Sequence, residues 1–184
     1  MTTAKKLLTA EEFAALPDDG RRLELINGEV VEMAPGNVEH GSVTASLTSH
    51  LFVHVMDNSL GRVVTADPGI FLQRNPDIVR APDVCFYSRD REPSPEDRRQ
   101  GWTHVIPDLV AEVVSPGDTA TEIEEKVLLW LAAGVRLVVV LFPRLRSVAV
   151  YTGPNELRRY GAGDTLDLAP VLPEFRCPVE RLFS

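Results

Sequence analysis

The sequence is poor in cysteine and positive charge and has no long apolar run, and each shortage narrows its possible roles. Cys85 and Cys177 are the two cysteines; they lie far apart without metal-ligand spacing, and two are too few for a disulfide framework. Both read as buried thiols. No apolar stretch approaches the roughly 20 residues a membrane helix requires, and a signal peptide's apolar segment and small-residue cleavage site are missing. A cytoplasmic location is therefore expected. Lysine and arginine number 19 against 27 acidic residues, a formal net charge of -8. Nonspecific DNA affinity grows with the phosphates neutralised, so any nucleic-acid contact must be local. The arginine pairs 89 and 91, 98 and 99, 144 and 146, and 158 and 159 permit such a contact, although each pair alone reads first as solvated loop charge. A Walker loop, a dinucleotide-binding glycine pattern and a serine-nucleophile elbow are all missing, which removes the commonest nucleotide and hydrolase readings. His50, His54 and His104 have no zinc-like arrangement.

What is present suits a folded α/β chain. Its 184 residues, 44% hydrophobic and 25% charged, are enough for one core and one domain. Thr9 with Glu12 forms a capping box ahead of a short helix that Pro17 and Gly20 end. RLELINGEVVEM alternates on both sides of Asn27-Gly28, the dipeptide that tolerates the positive φ of a hairpin turn. From about Glu39 to Met56, Val43, Leu47 and Leu51 recur at helical spacing, with Asn37 as the cap. RVVTA, GIFLQ and DVCFYS read as strands of an antiparallel sheet portion, and SRDREPSPEDRRQG as an exposed loop. DLVAEVVS and RLVVVLF flank a capped helical segment, which predicts a strand-helix-strand unit with the second strand covered on both faces. SVAVYT and ELRRYG then form an edge hairpin.

Glu112 is the anomaly in this pattern. Alternation sets it beside Val110 and Val114 on one strand face while Leu109, Ala111 and Val113 occupy the other, so both faces read as buried. A carboxylate there must be ion-paired, protonated or bound to a cation, unless it sits at the strand's wet end. Asp83 follows Arg80-Ala81-Pro82, where proline ends pairing and leaves the aspartate near a strand terminus. Two carboxylates facing one point can hold Mg2+ or Mn2+, with waters completing the octahedron. Lys126 lies at the border of the core face defined by Ile123, Val127, Trp130 and Leu131. There it either reaches inward to stabilise charge on a phosphate or snorkels to pair with Glu122. Glu24 on the hairpin and His40 at the first turn of the long helix are accessory candidates for the same cleft.

The order of these segments resembles the Uma-two family of endonuclease-like proteins, which carry the PD-(D/E)XK restriction-endonuclease-like fold. The matching pieces are LELINGEVVEMAP, His40 on its helix, RAPDV with Asp83, PDLVAEVVSP with Glu112 and EKVLLWLAAGV with Lys126. The resemblance implies a single restriction-endonuclease-like domain over residues 1–184: a mixed sheet flanked by helices, with an N-terminal hairpin. It also implies phosphodiester hydrolysis, with DNA the expected substrate. Asp83 and Glu112 become ligands of Mg2+ or Mn2+, and Lys126 replaces the lysine usually carried on the glutamate's strand, completing a catalytic set of Asp83, Glu112 and Lys126. A homodimer is expected from the class alone. Two departures stand out: Val114 occupies the place of the usual lysine, and LVVVLFP ends in Phe142 where the family tends to have aspartate. Together with the acidic balance, Val114 keeps open a noncatalytic nucleic-acid- or protein-binding module on the same fold.

Overall fold

The computed structural model describes residues 6–17 and 19–184. The first elements are α1 (Ala10–Ala14), β1 (Leu23–Ile26), β2 (Glu29–Glu32), α2 (Val38–Asp57), β3 (Gly61–Thr65), β4 (Ile70–Gln73), β5 (Ile78–Arg80) and β6 (Val84–Ser88). After two short 3-10 turns come β7 (Leu109–Val113), α3 (Ala120–Ala132), β8 (Leu137–Phe142), β9 (Ser147–Gly153), β10 (Glu156–Tyr160), β11 (Thr165–Asp167) and β12 (Arg176–Pro178). Among the described residues, no helix is long and apolar enough to cross a membrane.

The chain divides into two compact units whose segments interleave in sequence. One comprises residues 1–35, 68–81 and 93–105 and holds an antiparallel sheet in the order β2-β1-β5-β4. Its hairpin turns at Asn27 and Gly28, whose φ angles of 51° and 77° are those a two-residue primed turn demands. The expected capping box is formed: the Thr9 side chain accepts from Glu12 N–H, and the Glu12 side chain accepts from Thr9 N–H. Ala10, Leu25 and Val79 make this unit's buried cluster, with Phe71 and Trp102 packed against it.

The other unit comprises residues 36–67, 82–92 and 106–184. Its six-stranded mixed sheet runs β10-β9-β8-β7-β6-β3, with β7 and β8 parallel and every other pairing antiparallel. The parallel pair is the one joined through α3, as expected for a strand-helix-strand unit. Val43, Leu47, Leu51 and Val55 recur every four residues along α2 and cover Leu109, Ala111, Val113, Leu137, Val139 and Leu141 on one sheet face. The opposite face of β7 and β8 is left to α3, whose Val127 and Trp130 are buried. Both Cys85 and Cys177 are buried free thiols, and burial pushes Cys85 up to about 12.

RVVTA and DVCFYS pair as β3 and β6, whereas GIFLQ belongs to the other unit's sheet. The physical reason is the intervening Ile78–Arg80 segment: three residues are too short to show alternation, yet they form β5, the strand that β4 and β1 both pair with.

Candidate functional site

Strand pairing brings the two carboxylates together. In β6 and β7, Val84 lies opposite Ala111 and Cys85 opposite Val110. Continuing that register by one residue sets Asp83 opposite Glu112, and directly opposed residues of an antiparallel pair point to one face. Pro82 precedes Asp83 and ends the strand there. The Asp83 carboxylate then takes the backbone N–H of Val113 at 2.7 Å, and the Thr65 hydroxyl donates to the Asp83 carbonyl at 2.8 Å.

His40 approaches Asp83 from the start of α2, with Nε2 3.3 Å from Oδ2. Its place follows from the helix cap, because Asn37 accepts the His40 N–H at 2.8 Å and so fixes the first turn. Gly36 supplies the room: a Cβ there would stand 2.9 Å from His40 Nδ1. Burial alone would raise the Asp83 pKa. The hydrogen bonds from His40 and from Val113 N–H, with the charges of His40 and Lys126, outweigh it and hold the carboxyl below its ordinary value.

Glu112 has 9% of its surface exposed, and α3 engages both of its oxygens. Trp130 Nε1 donates to Oε1 at 2.8 Å, and Lys126 Nζ donates to Oε2 at 3.2 Å. These donors are four residues apart, one helical turn, so they share a face of α3. The helix start is fixed by a second capping box, Thr119 with Glu122. Glu122 is thus occupied by the cap, and the lysine points inward to Glu112. A cleft of about 30 Å³ opens beside Glu112 and Lys126, bordered by Val114, Asp118 and Val140.

The structure therefore brings Asp83, Glu112, Lys126 and His40 into one unit and one contact network. Glu24 lies in the other unit, 3% exposed. Its carboxylate is committed to the Arg80 guanidinium at 2.6 Å and the Ala81 N–H at 2.9 Å, an ordinary solution for a buried acid. Trp130 is the partner of Glu112 that the sequence reads only as part of the helix's core face. A fully buried indole N–H needs an acceptor, and Trp130 sits one turn after the lysine, so its place on α3 was the available signal.

The donor set also bears on a metal. Among the described residues, no group of three or more His, Cys, Asp and Glu is disposed to hold an ion. The two carboxylates Asp83 and Glu112 would by themselves suit a hard cation that keeps most of its waters, and would not suit a closed zinc cage.

The profile of the Uma2 family, described as "Putative restriction endonuclease", matches residues 10–180. The chain belongs to the Uma2 family. A solved structure described as a "putative nuclease belonging to DUF820 from Anabaena variabilis ATCC 29413" superposes on this Uma2 chain with a TM-score of 0.83. The two share 20% identity, over 96% of this chain and 97% of that one. At that identity the match shows the fold: a nuclease-like mixed sheet flanked by helices. No curated protein matches the Uma2 chain in sequence.

Proposed function

We propose that this Uma2 chain is a metal-dependent endonuclease that hydrolyses phosphodiester bonds of DNA. In this reading Asp83 and Glu112 hold Mg2+ or Mn2+, and Lys126 acts at the phosphate. The observation that carries the reading is the buried Glu112, held by an indole and a lysine directly across from a second buried carboxylate. A purely structural acid needs no such neighbour.

When bound, a divalent ion supplies charge stabilisation at a phosphoryl oxygen and makes water more acidic. The chain's own residues do the rest. Lys126 offers N–H donors at the mouth of the cleft, where they orient water and stabilise negative charge growing on phosphate. Trp130 locks the Glu112 carboxylate from behind, so its oxygens are preorganised. His40 and Val113 N–H hold the Asp83 carboxylate ionised and in place.

Supercoiled plasmid DNA incubated with the protein in Mg2+ or Mn2+ tests this reading. The wild type is expected to nick or linearise the plasmid, and Glu112→Gln to do so at least about 100-fold more slowly. Equal cleavage by both proteins would refute the site. A second reading, a noncatalytic binding module on the same fold, is favoured by Val114 and the charge of -8; it predicts nucleic-acid or protein binding that needs no divalent ion.

A further inference from the structure

The six-stranded sheet carries a line of residues beyond the carboxylates. Glu112 pairs with Val140, Val140 with Ala149, and Ala149 with Arg159. Paired residues share a sheet face, so Arg159 lies on the same rung and the same face as Glu112, on the edge strand β10. Three strand spacings of about 4.8 Å separate the two by about 14 Å. Side-chain alternation along β8 adds Phe142 to the face of Val140, and the Arg159 guanidinium stacks over that ring at 5.3 Å.

Phe142 ends β8, and the turn that follows carries Arg144 and Arg146. Both are exposed, and Arg146 has a φ of 47°, a left-handed conformation uncommon for a non-glycine residue. Among the described residues, no carboxylate forms an ion pair with Arg144, Arg146 or Arg159. By contrast Arg91 is used up on Asp108, and Arg158 stacks on Tyr160 next in register to Val150, whose side chain belongs to the α2 face. Glu124 of α3 lies near enough to share a neighbour, Tyr151, with Arg159. It and Arg159 act in opposite senses on Tyr151, whose hydroxyl burial pushes up.

The geometry points to a phosphate-backbone contact strip formed by Arg144, Arg146 and Arg159, which aligns a DNA strand along the carboxyl end of β8 and leads it toward the cleft at Glu112 and Lys126. This inference rests on the endonuclease reading above and adds the surface that holds the substrate. It also reconciles an acidic chain with a polyanionic ligand, because the three cations are gathered at β10 and the turn after β8, and stacking on Phe142 preorganises one of them.

The test is anisotropy of a fluorescent 30-base-pair DNA duplex with no divalent ion present, titrated with the wild type at several salt concentrations. It is repeated with Arg144→Gln/Arg146→Gln/Arg159→Gln and with Arg158→Gln as the opposite-face control. Each phosphate contact contributes about 0.9 to the slope of log affinity against log salt. The triple variant should therefore lose about 2 to 3 from the slope and bind about 10- to 100-fold more weakly, with Arg158→Gln close to wild type. Calorimetric Mn2+ binding and melting temperature should be unchanged in the triple variant, which separates loss of the strip from damage to the cleft. Wild-type slope and affinity in the triple variant would overturn the strip while leaving the cleft's chemistry standing. A wild type that binds no duplex at all would overturn the strip and the DNA substrate together.

Discussion

Each end of β7 buries a carboxylate, and the two are neutralised differently. At the beginning, Asp108 is fully buried and accepts the Ser88 N–H at 2.8 Å, Arg91 at 2.8 Å and Arg136 at 3.4 Å. At the other end Glu112 receives one lysine and one indole, and a second carboxylate, Asp83, stands just before the neighbouring strand β6. Two guanidiniums and an amide leave Asp108 with cation to spare. Asp83 and Glu112 together hold two negative charges against Lys126 and His40. Burial of an acid is thus a weak indicator of function; two carboxylates brought to one sheet face beside a cleft are the stronger one.

That contrast breaks most sharply at the lysine. Lys126→Met should slow plasmid cleavage by about 100-fold yet tighten Mn2+ binding, because the cation that competes for Glu112 is gone. Single-turnover cleavage and calorimetry on the same preparation would show both changes; weaker metal binding would mean that Lys126 only props the carboxylate. Asp108→Ala should do the opposite. Stranding the Ser88 N–H and two arginines should cost about 3 kcal/mol in urea unfolding while Mn2+ affinity stays at the wild-type value.

How much of this contrast is legible in the sequence depends on the residue. Glu112 stands out because five apolar neighbours surround it in LVAEVV, and Pro82 marks Asp83 as a strand terminus. Asp108 carries no such signal: after Pro107 it reads as a turn residue, and its partners Arg91 and Arg136 are 17 and 28 positions away. Trp130 looks like ordinary core on the helical period, since periodicity places a side chain on a face but says nothing of what its N–H meets. The hairpin at Asn27-Gly28, the long helix after Asn37 and the parallel β7-β8 pair follow local rules and are readable. Three-residue strands such as β5, β11 and β12 are not, because tertiary pairing rather than local pattern makes them.

Smaller effects sharpen the comparison. Trp130→Phe keeps most of the ring and removes the donor to Glu112 Oε1, so it should cost about 1–2 kcal/mol of stability and weaken Mn2+ binding severalfold. If denaturant unfolding shifts but metal affinity does not, the indole serves packing alone. For Asp108, burial pushes its pKa up, but the Ser88 amide and the Arg91 charge overcome that and lower it; Asp83 is lowered too. A depressed native pKa stabilises the fold above the ordinary aspartate value of 3.8, and that stability is lost as pH falls through the lower native value. Melting temperatures should therefore drop below about pH 4, and Asp108→Asn should flatten that drop more than any change at the exposed acids.

The most direct test of the central claim is calorimetric titration of Mn2+ into the wild type and Glu112→Gln at one ionic strength, since metal binding requires no choice of substrate. A single saturable site is expected in the wild type and is lost in Glu112→Gln. Equal binding by the two proteins, or none by either, would contradict a metal-dependent centre at Asp83 and Glu112.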